Sequence, residues 1–165
     1  MIEIAKTKRR AIVIGGGLLG LECARGLMDQ GMDVTVLHLA EWLMEMQLDR
    51  KAGDMLKADL ERQGMHIELQ ANSKEIIGTD DVEAIKLADG RVIETDLVVM
   101  AVGIRPFTEV AREAGLEVNR GIVVNDYLQT SDEHIYAVGE CAEHNGKVYG
   151  LVCLLYTSPS PRDRG

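Results

Sequence analysis

The chain has 165 residues, of which 46% are hydrophobic and 27% charged, the balance of a globular domain with a real core. A net charge of −9 repels phosphate backbones and argues against nucleic acid as a partner. No apolar run approaches the roughly 20 residues of a membrane helix, no signal peptide is visible, and three cysteines without C-x-x-C spacing disfavour a disulfide framework or a zinc site; no membrane partner and a reducing, cytoplasmic setting are expected.

In chain order, "KTKRR" (Lys6 to Arg10) reads as a solvated stretch leading into a strand. "RAIVI" (Arg10 to Ile14) is a buried strand, β-branched and apolar. Gly17 to Gln30 reads as a helix, with Leu18, Leu21, Leu27 and Met28 spaced to face a sheet and Gly31 as the stop. Asp33 to Leu39, "DVTVLHL", is a second buried strand, completing a parallel crossover unit. Asp49 to Gln63 is a second helix, closed by Gly64, and Met65 to Gln70 a third strand. "SKEIIG", "VEAIKLA" and "RVIETD" follow as short segments, the last two joined by the hairpin pair Asp89-Gly90. A small antiparallel sheet inserted in the crossover is expected. Asp96 to Ala101, "DLVVMA", returns as another buried strand. Beyond a boundary near Gly103 to Pro106, where Pro106 keeps the chain extended, the pattern predicts a short helix (Thr108 to Ala114). A strand pair around Ile122 and Tyr127 follows, then a buried run from Ile135 to Val138.

Gly15, Gly17 and Gly20 form G-x-G-x-x-G between the first strand and the first helix, the context that makes this spacing informative. Gly15 permits the tight turn, Gly17 lets backbone approach a pyrophosphate, and Gly20 lets helix pack on strand. The amides of Leu18 and Leu19 then face the anion, with the helix dipole behind them. An acidic residue is expected about 20 residues on, for the adenosine ribose. His38 stands there instead, with Glu41 as the nearest acid, so NADH and NADPH are not separated by this position; no arginine follows in the loop, which leans toward NADH. Glu22 is a helix-dipole partner, a carboxylate near the nicotinamide end, or both. Trp42 either flanks the adenine or covers the sheet edge. Cys23 and Cys141 read as buried small residues; a helix start after Glu140 would lower the Cys141 pKa.

The order strand, G-x-G-x-x-G, helix, strand, helix, three-stranded insert, and a strand ending "VVMAVGIRP" resembles the NAD(P)H domain of the FAD-dependent pyridine nucleotide-disulfide oxidoreductases. "TSDEHIYAVGECAE" (Thr130 to Glu143) resembles the family's second flavin motif. The resemblance implies an α/β fold: a Rossmann-like parallel sheet with an inserted small antiparallel sheet, plus a partial FAD-binding domain. It also implies that Val102 and Gly103 lead from the NAD domain back to the FAD domain. Gly139 and Glu140 would sit beside the flavin, Glu140 accepting from a ribityl hydroxyl and the following helix start facing the flavin pyrophosphate. "GGGLLGLE", "VTVLHL", "GLEVNRGIVVND" and "YAVGECAEHNGKVYGLV" resemble most closely the large-subunit branch of the assimilatory NAD(P)H nitrite reductases, in which His at the position of His38 is habitual. The chemistry implied is hydride transfer from NADH to FAD, with electrons passing on toward iron–sulfur and sirohaem centres that this sequence does not contain. No acid–base constellation is needed, and no catalytic residue is assigned. The alternatives are a rubredoxin- or ferredoxin-type flavoprotein reductase, and an NAD-binding fragment without turnover.

The domain plan implied is residues 1–8 as the end of a first FAD segment or linker, 9–103 as the NAD(P)H-binding domain, and 104–152 as a partial FAD-binding domain. The family's upstream FAD-binding G-x-G-x-x-G is not in this sequence. Cys153 to Asp163, "CLLYTSPSPRD", reads as the translation of a transposon-type sequencing adapter, so residues 153–165 are expected to form an artefactual, disordered tail.

Overall fold

The computed structural model describes residues 2–148; the expected tail lies outside the described residues. The chain divides into two compact units, one ending at Gly103 and one starting at Ile104.

The first unit opens with a single helical turn, α1 (Ile2–Ala5), and then β1 (Arg10–Ile14). The crossover helix α2 (Leu18–Asp29), β2 (Asp33–Leu37), α3 (Arg50–Arg62) and β3 (His66–Glu68) follow. β4 (Ser73–Gly78), β5 (Val82–Leu87) and β6 (Val92–Glu94) form a separate antiparallel sheet before β7 (Leu97–Met100) returns. The main sheet has the order β3-β2-β1-β7 and is parallel throughout. This is the expected α/β architecture, with the small antiparallel sheet inserted between β3 and β7.

Strand alternation decides which residue packs on which layer. Ala11 and Val13 of β1 and Val34 and Val36 of β2 lie against Leu21, Ala24 and Leu27 of α2. Ile12 and Leu37 point the other way, onto Ile85 and Leu87 of β5. The inserted sheet therefore covers the second face, which an all-parallel sheet requires. Ile12, Val13, Val34, Val36, Leu37, Ile85 and Leu87 are all at most 1% exposed, and each such side chain contributes roughly 1.5–3 kcal/mol. Asp49 caps α3, its carboxylate accepting from the Ala52 amide at 2.9 Å. At the opposite end of the strands, Asp96 accepts from the Arg10 guanidinium and from the amides of Arg9 and Arg10. Those donors, the guanidinium foremost, hold the Asp96 carboxyl well below the usual carboxylate range.

β7 is less enclosed than "DLVVMA" suggests: it pairs with β1 alone among the described strands, and Met100 is 65% exposed. β2 ends at Leu37 rather than at Leu39; His38 stays buried and Leu39 turns outward.

The second unit holds α4 (Glu109–Glu113), β8 (Ile122–Val124), a 3-10 turn (Gly139–Cys141), β9 (Ala142–His144) and β10 (Lys147–Val148). β8 pairs parallel with β9, not with a strand at Tyr127. Asn125 prevents that strand: its side-chain carbonyl accepts from the amides of Tyr127 and Gln129, and Leu128 takes a left-handed φ of 62°. The expected buried run at 135–138 is also corrected. Only Ala137 is buried; Ile135, Tyr136 and Val138 are exposed, and the segment makes a single bridge, Gln129 to Tyr136. In sequence the apolar run looks like a core strand, but within this unit no second layer covers it.

Candidate functional site

The glycine loop lies at the carboxyl edge of β1, between β2 on one side and β7 on the other. This is a topological switch point: the chain leaves β1 for β2 by α2 and comes back to β7 across the sheet. Gly15 has φ +119°, donates to Leu37 O at 2.8 Å, and would place a side-chain carbon 2.2 Å from Ala101 O. Only glycine fits there. A side-chain carbon at Gly20 would lie 1.9 Å from Gly15 O, so α2 packs directly on the turn. Gly17 is extended, starts α2, and has nothing within 4 Å of the place a Cβ would take. No side chain caps the helix. The Leu21 amide donates to Gly17 O, while the amides of Leu18, Leu19 and Gly20 precede the first intrahelical donor. An open glycine face beside an uncapped helix start is a cradle for an anion. The residues present fit a dinucleotide pyrophosphate.

The structure brings Gly15, Gly17, Leu18, Leu19 and Gly20 together at this edge. Val102 follows Ala101, whose carbonyl Gly15 abuts, and its amide nitrogen is 3.5 Å from a Gly15 Cβ position. Val102 and Gly103 are exposed, and Gly103 has φ +92°. Glu22 is exposed on α2, on the turn after Gly20.

His38 is placed differently from the ribose reader that its position in the chain suggests. It is 6% exposed, and its Nδ1 accepts from the Gly16 amide at 3.0 Å. Since an amide can only donate, the ring proton is on Nε2, which lies 2.9 Å from Glu45 Oε2. Both ring nitrogens are engaged by the protein. Gly16 is gripped from other sides too: its carbonyl accepts from the Met44 amide at 3.0 Å, and a Cβ would lie 2.6 Å from Leu43 Cδ2. Met44 adopts φ 55°, and Leu43 is fully buried. Trp42 braces the same loop, its indole donating to Leu48 O at 3.0 Å and its ring filling the space that Gly53 of α3 leaves. Gly16, Leu43, Met44 and Glu45 are therefore part of the site, and sequence spacing marks none of them. The middle glycine of "GGG", which the motif spacing does not require, was the one visible hint.

In the second unit, Gly139 (φ +85°) and the exposed Glu140 occupy the 3-10 turn. The helix start expected after Glu140 is absent there: Ala142 is already extended and begins β9. Cys141 is half-buried, its thiol 3.4 Å from Val138 O. Burial pushes the Cys23 thiol up. Two polar residues of this unit, Glu143 and His144, are buried. Glu143 accepts from the Arg120 and Gly121 amides, each at 2.8 Å, which with Asn119 hold its carboxyl below the ordinary range, Gly121 contributing most. His144 lies 2.8 Å from Asp126. Among the described residues, no three His, Cys, Asp or Glu side chains are grouped to hold a metal, and no helix is long and apolar enough to cross a membrane.

The family described as pyridine nucleotide-disulphide oxidoreductase matches residues 1–157. The chain is 60% identical, over 94% of its length, to a nitrite reductase [NAD(P)H] of Bacillus subtilis (strain 168), of which it covers 19%. Among solved structures, a NAD-dependent persulfide reductase from A. fulgidus superposes with a TM-score of 0.89 at 32% identity, over 96% of this chain and 31% of that one. A ferredoxin reductase from Rhodopseudomonas palustris gives a TM-score of 0.84 at 32% identity, over 90% of this chain and 38% of that one. The chain spans about a fifth of the length of the curated relatives it matches first.

Proposed function

The chain belongs to the pyridine nucleotide-disulphide oxidoreductase family, and from that premise we propose that it forms the NADH-binding part, with a portion of the FAD-binding part, of a cytoplasmic oxidoreductase of the nitrite reductase large-subunit kind. Bound NADH supplies a hydride and bound FAD accepts it. This chain's residues bind and orient. The amides of Leu18, Leu19 and Gly20 hold the NADH pyrophosphate, Gly17 allows its approach, and Gly15 and Gly20 fix the loop that aims those amides. Val102, Gly103 and Glu22 line the route toward the nicotinamide end. In the second unit, Glu140 offers an exposed carboxylate to a ribityl hydroxyl beside Gly139. The 3-10 turn that holds Glu140 runs straight into β9 and supplies no α-helix start for a flavin pyrophosphate at this point. Sirohaem and iron–sulfur centres belong to other parts of such a protein. No role for nucleic acid is proposed, in keeping with the net charge of −9.

One observation carries the reading: Gly15 to Gly20 turn from the carboxyl edge of a central parallel strand into an uncapped helix. Titration of the 165-residue chain with NADH, followed by quenching of Trp42, the single tryptophan, is expected to saturate well below a millimolar. No binding at millimolar NADH overturns the reading. Gel filtration with FAD is expected to leave the chain colourless, because its sequence contains one G-x-G-x-x-G. Stoichiometric retention of FAD would refute that second expectation. The likeness to a ferredoxin reductase favours a second reading, in which the electrons leave for a small redox protein rather than for sirohaem.

A further inference from the structure

Resting on the dinucleotide reading of the glycine loop, we propose that Glu45, held in place by His38, is the carboxylate that receives the adenosine ribose hydroxyls and turns away a 2′-phosphate. Folds of this kind take that carboxylate from the end of the second strand. Here that position is His38, and its imidazole has no free nitrogen: Nδ1 serves Gly16 and Nε2 serves Glu45. The ring works as a spacer. One edge pins the glycine loop, and the other presents a carboxylate seven residues further along the chain.

The loop that carries Glu45 is built to keep it there. Its neighbour Met44 accepts a left-handed backbone and donates to Gly16 O, so Glu45 starts from a point already bonded to the cradle. Leu43 is buried against Gly16, and Trp42 ties the loop to Leu48 and α3. The Glu45 side chain is 36% exposed, whereas that of His38 is 7% exposed. Oε2 accepts a hydrogen bond from Nε2–H; Oε1 and the remaining lone pair of Oε2 are left to accept from two vicinal hydroxyls. A phosphate on the 2′-oxygen would bring two like charges together at this point, and such a repulsive element discriminates as strongly as an attractive one. Glu41, the nearer acid in sequence, is instead engaged by Arg50 at 3.1 Å. Glu45 is a specificity residue; His38 is a positioning residue that acts through it.

The test measures dissociation constants for NADH and NADPH by calorimetry on the 165-residue chain and on two variants, with amide NMR spectra to verify that each is folded. The unaltered chain is expected to prefer NADH at least tenfold. Glu45→Gln is expected to weaken NADH about tenfold, to leave NADPH unchanged or tighter, and so to erase the preference. His38→Asn keeps an acceptor for the Gly16 amide but does not reach Glu45, and is expected to lose part of the preference. A general loosening of the loop would weaken both coenzymes equally and leave their ratio unmoved. If Glu45→Gln binds NADH with the original ratio, the inference is overturned while the dinucleotide reading stands. If the unaltered chain binds neither coenzyme, both fall.

Discussion

The proposed phosphate cradle depends on single atoms. Gly20 shows this most directly, because its Cα faces the carbonyl oxygen of Gly15 with no room for a methyl group. Gly20→Ala therefore has to push α2 off the turn, at a cost of roughly 1–3 kcal/mol, although alanine is the better helix former. A lowered urea midpoint together with loss of NADH binding is expected, and a variant with unaltered midpoint and affinity would show that the turn can yield. Gly15, Gly17 and Gly20 were legible in the sequence because the motif encodes steric needs, one per glycine. His38 was legible in position but not in direction. Its partners, the Gly16 amide and Glu45, sit 22 and 7 residues away, and no periodicity records which way a ring turns at the end of a strand.

At the level of elements, apolar alternation and glycine punctuation located most strands and helices of the first unit, since each apolar face meets a partner layer inside that unit. The same reasoning failed at 135–138, where an apolar run lacks a layer, and at Tyr127, where an asparagine turn outcompetes strand pairing. One junction between elements has a pH signature. Asp96, just ahead of β7, is hydrogen-bonded by Arg10 of β1, and its folded pKa lies below its ordinary value of 3.8. A lowered carboxyl stabilises the fold fully above the unfolded value, and the contribution disappears as pH falls through the lowered one. Melting temperature is thus expected to be insensitive to this group from pH 5 to 7 and to drop below about pH 4. Asp96→Asn should melt lower at neutral pH and show a shallower acid drop; an equally steep drop would assign the acid sensitivity elsewhere.

Across the whole molecule, the break between units falls between Gly103 and Ile104. Residues 103–107 belong to no helix or strand, and Phe107, the single phenylalanine, is 71% exposed. Among the described residues, brief chymotrypsin treatment is expected to cut after Phe107 ahead of Tyr127 and Tyr136, which sit in hydrogen-bonded turns or bridges. The fragment ending at Phe107 should keep its NADH affinity; mass spectrometry identifies the cut and calorimetry checks the retention. The order of motifs made the α/β class and the family legible from the sequence alone. The second unit was harder to read, because its short strands draw on few local signals and its exposed apolar residues mimic a core.

The double engagement of His38 narrows the routes by which coenzyme choice can change in descendants or in engineered forms. A lone replacement at the end of β2 that offers no acceptor would leave the Gly16 amide without its partner, and even one that keeps an acceptor lets go of Glu45. On the reading proposed above, the exchange that leaves the glycine loop undisturbed lies in the segment beyond that strand, at Glu45, whose side chain touches the loop only through the imidazole.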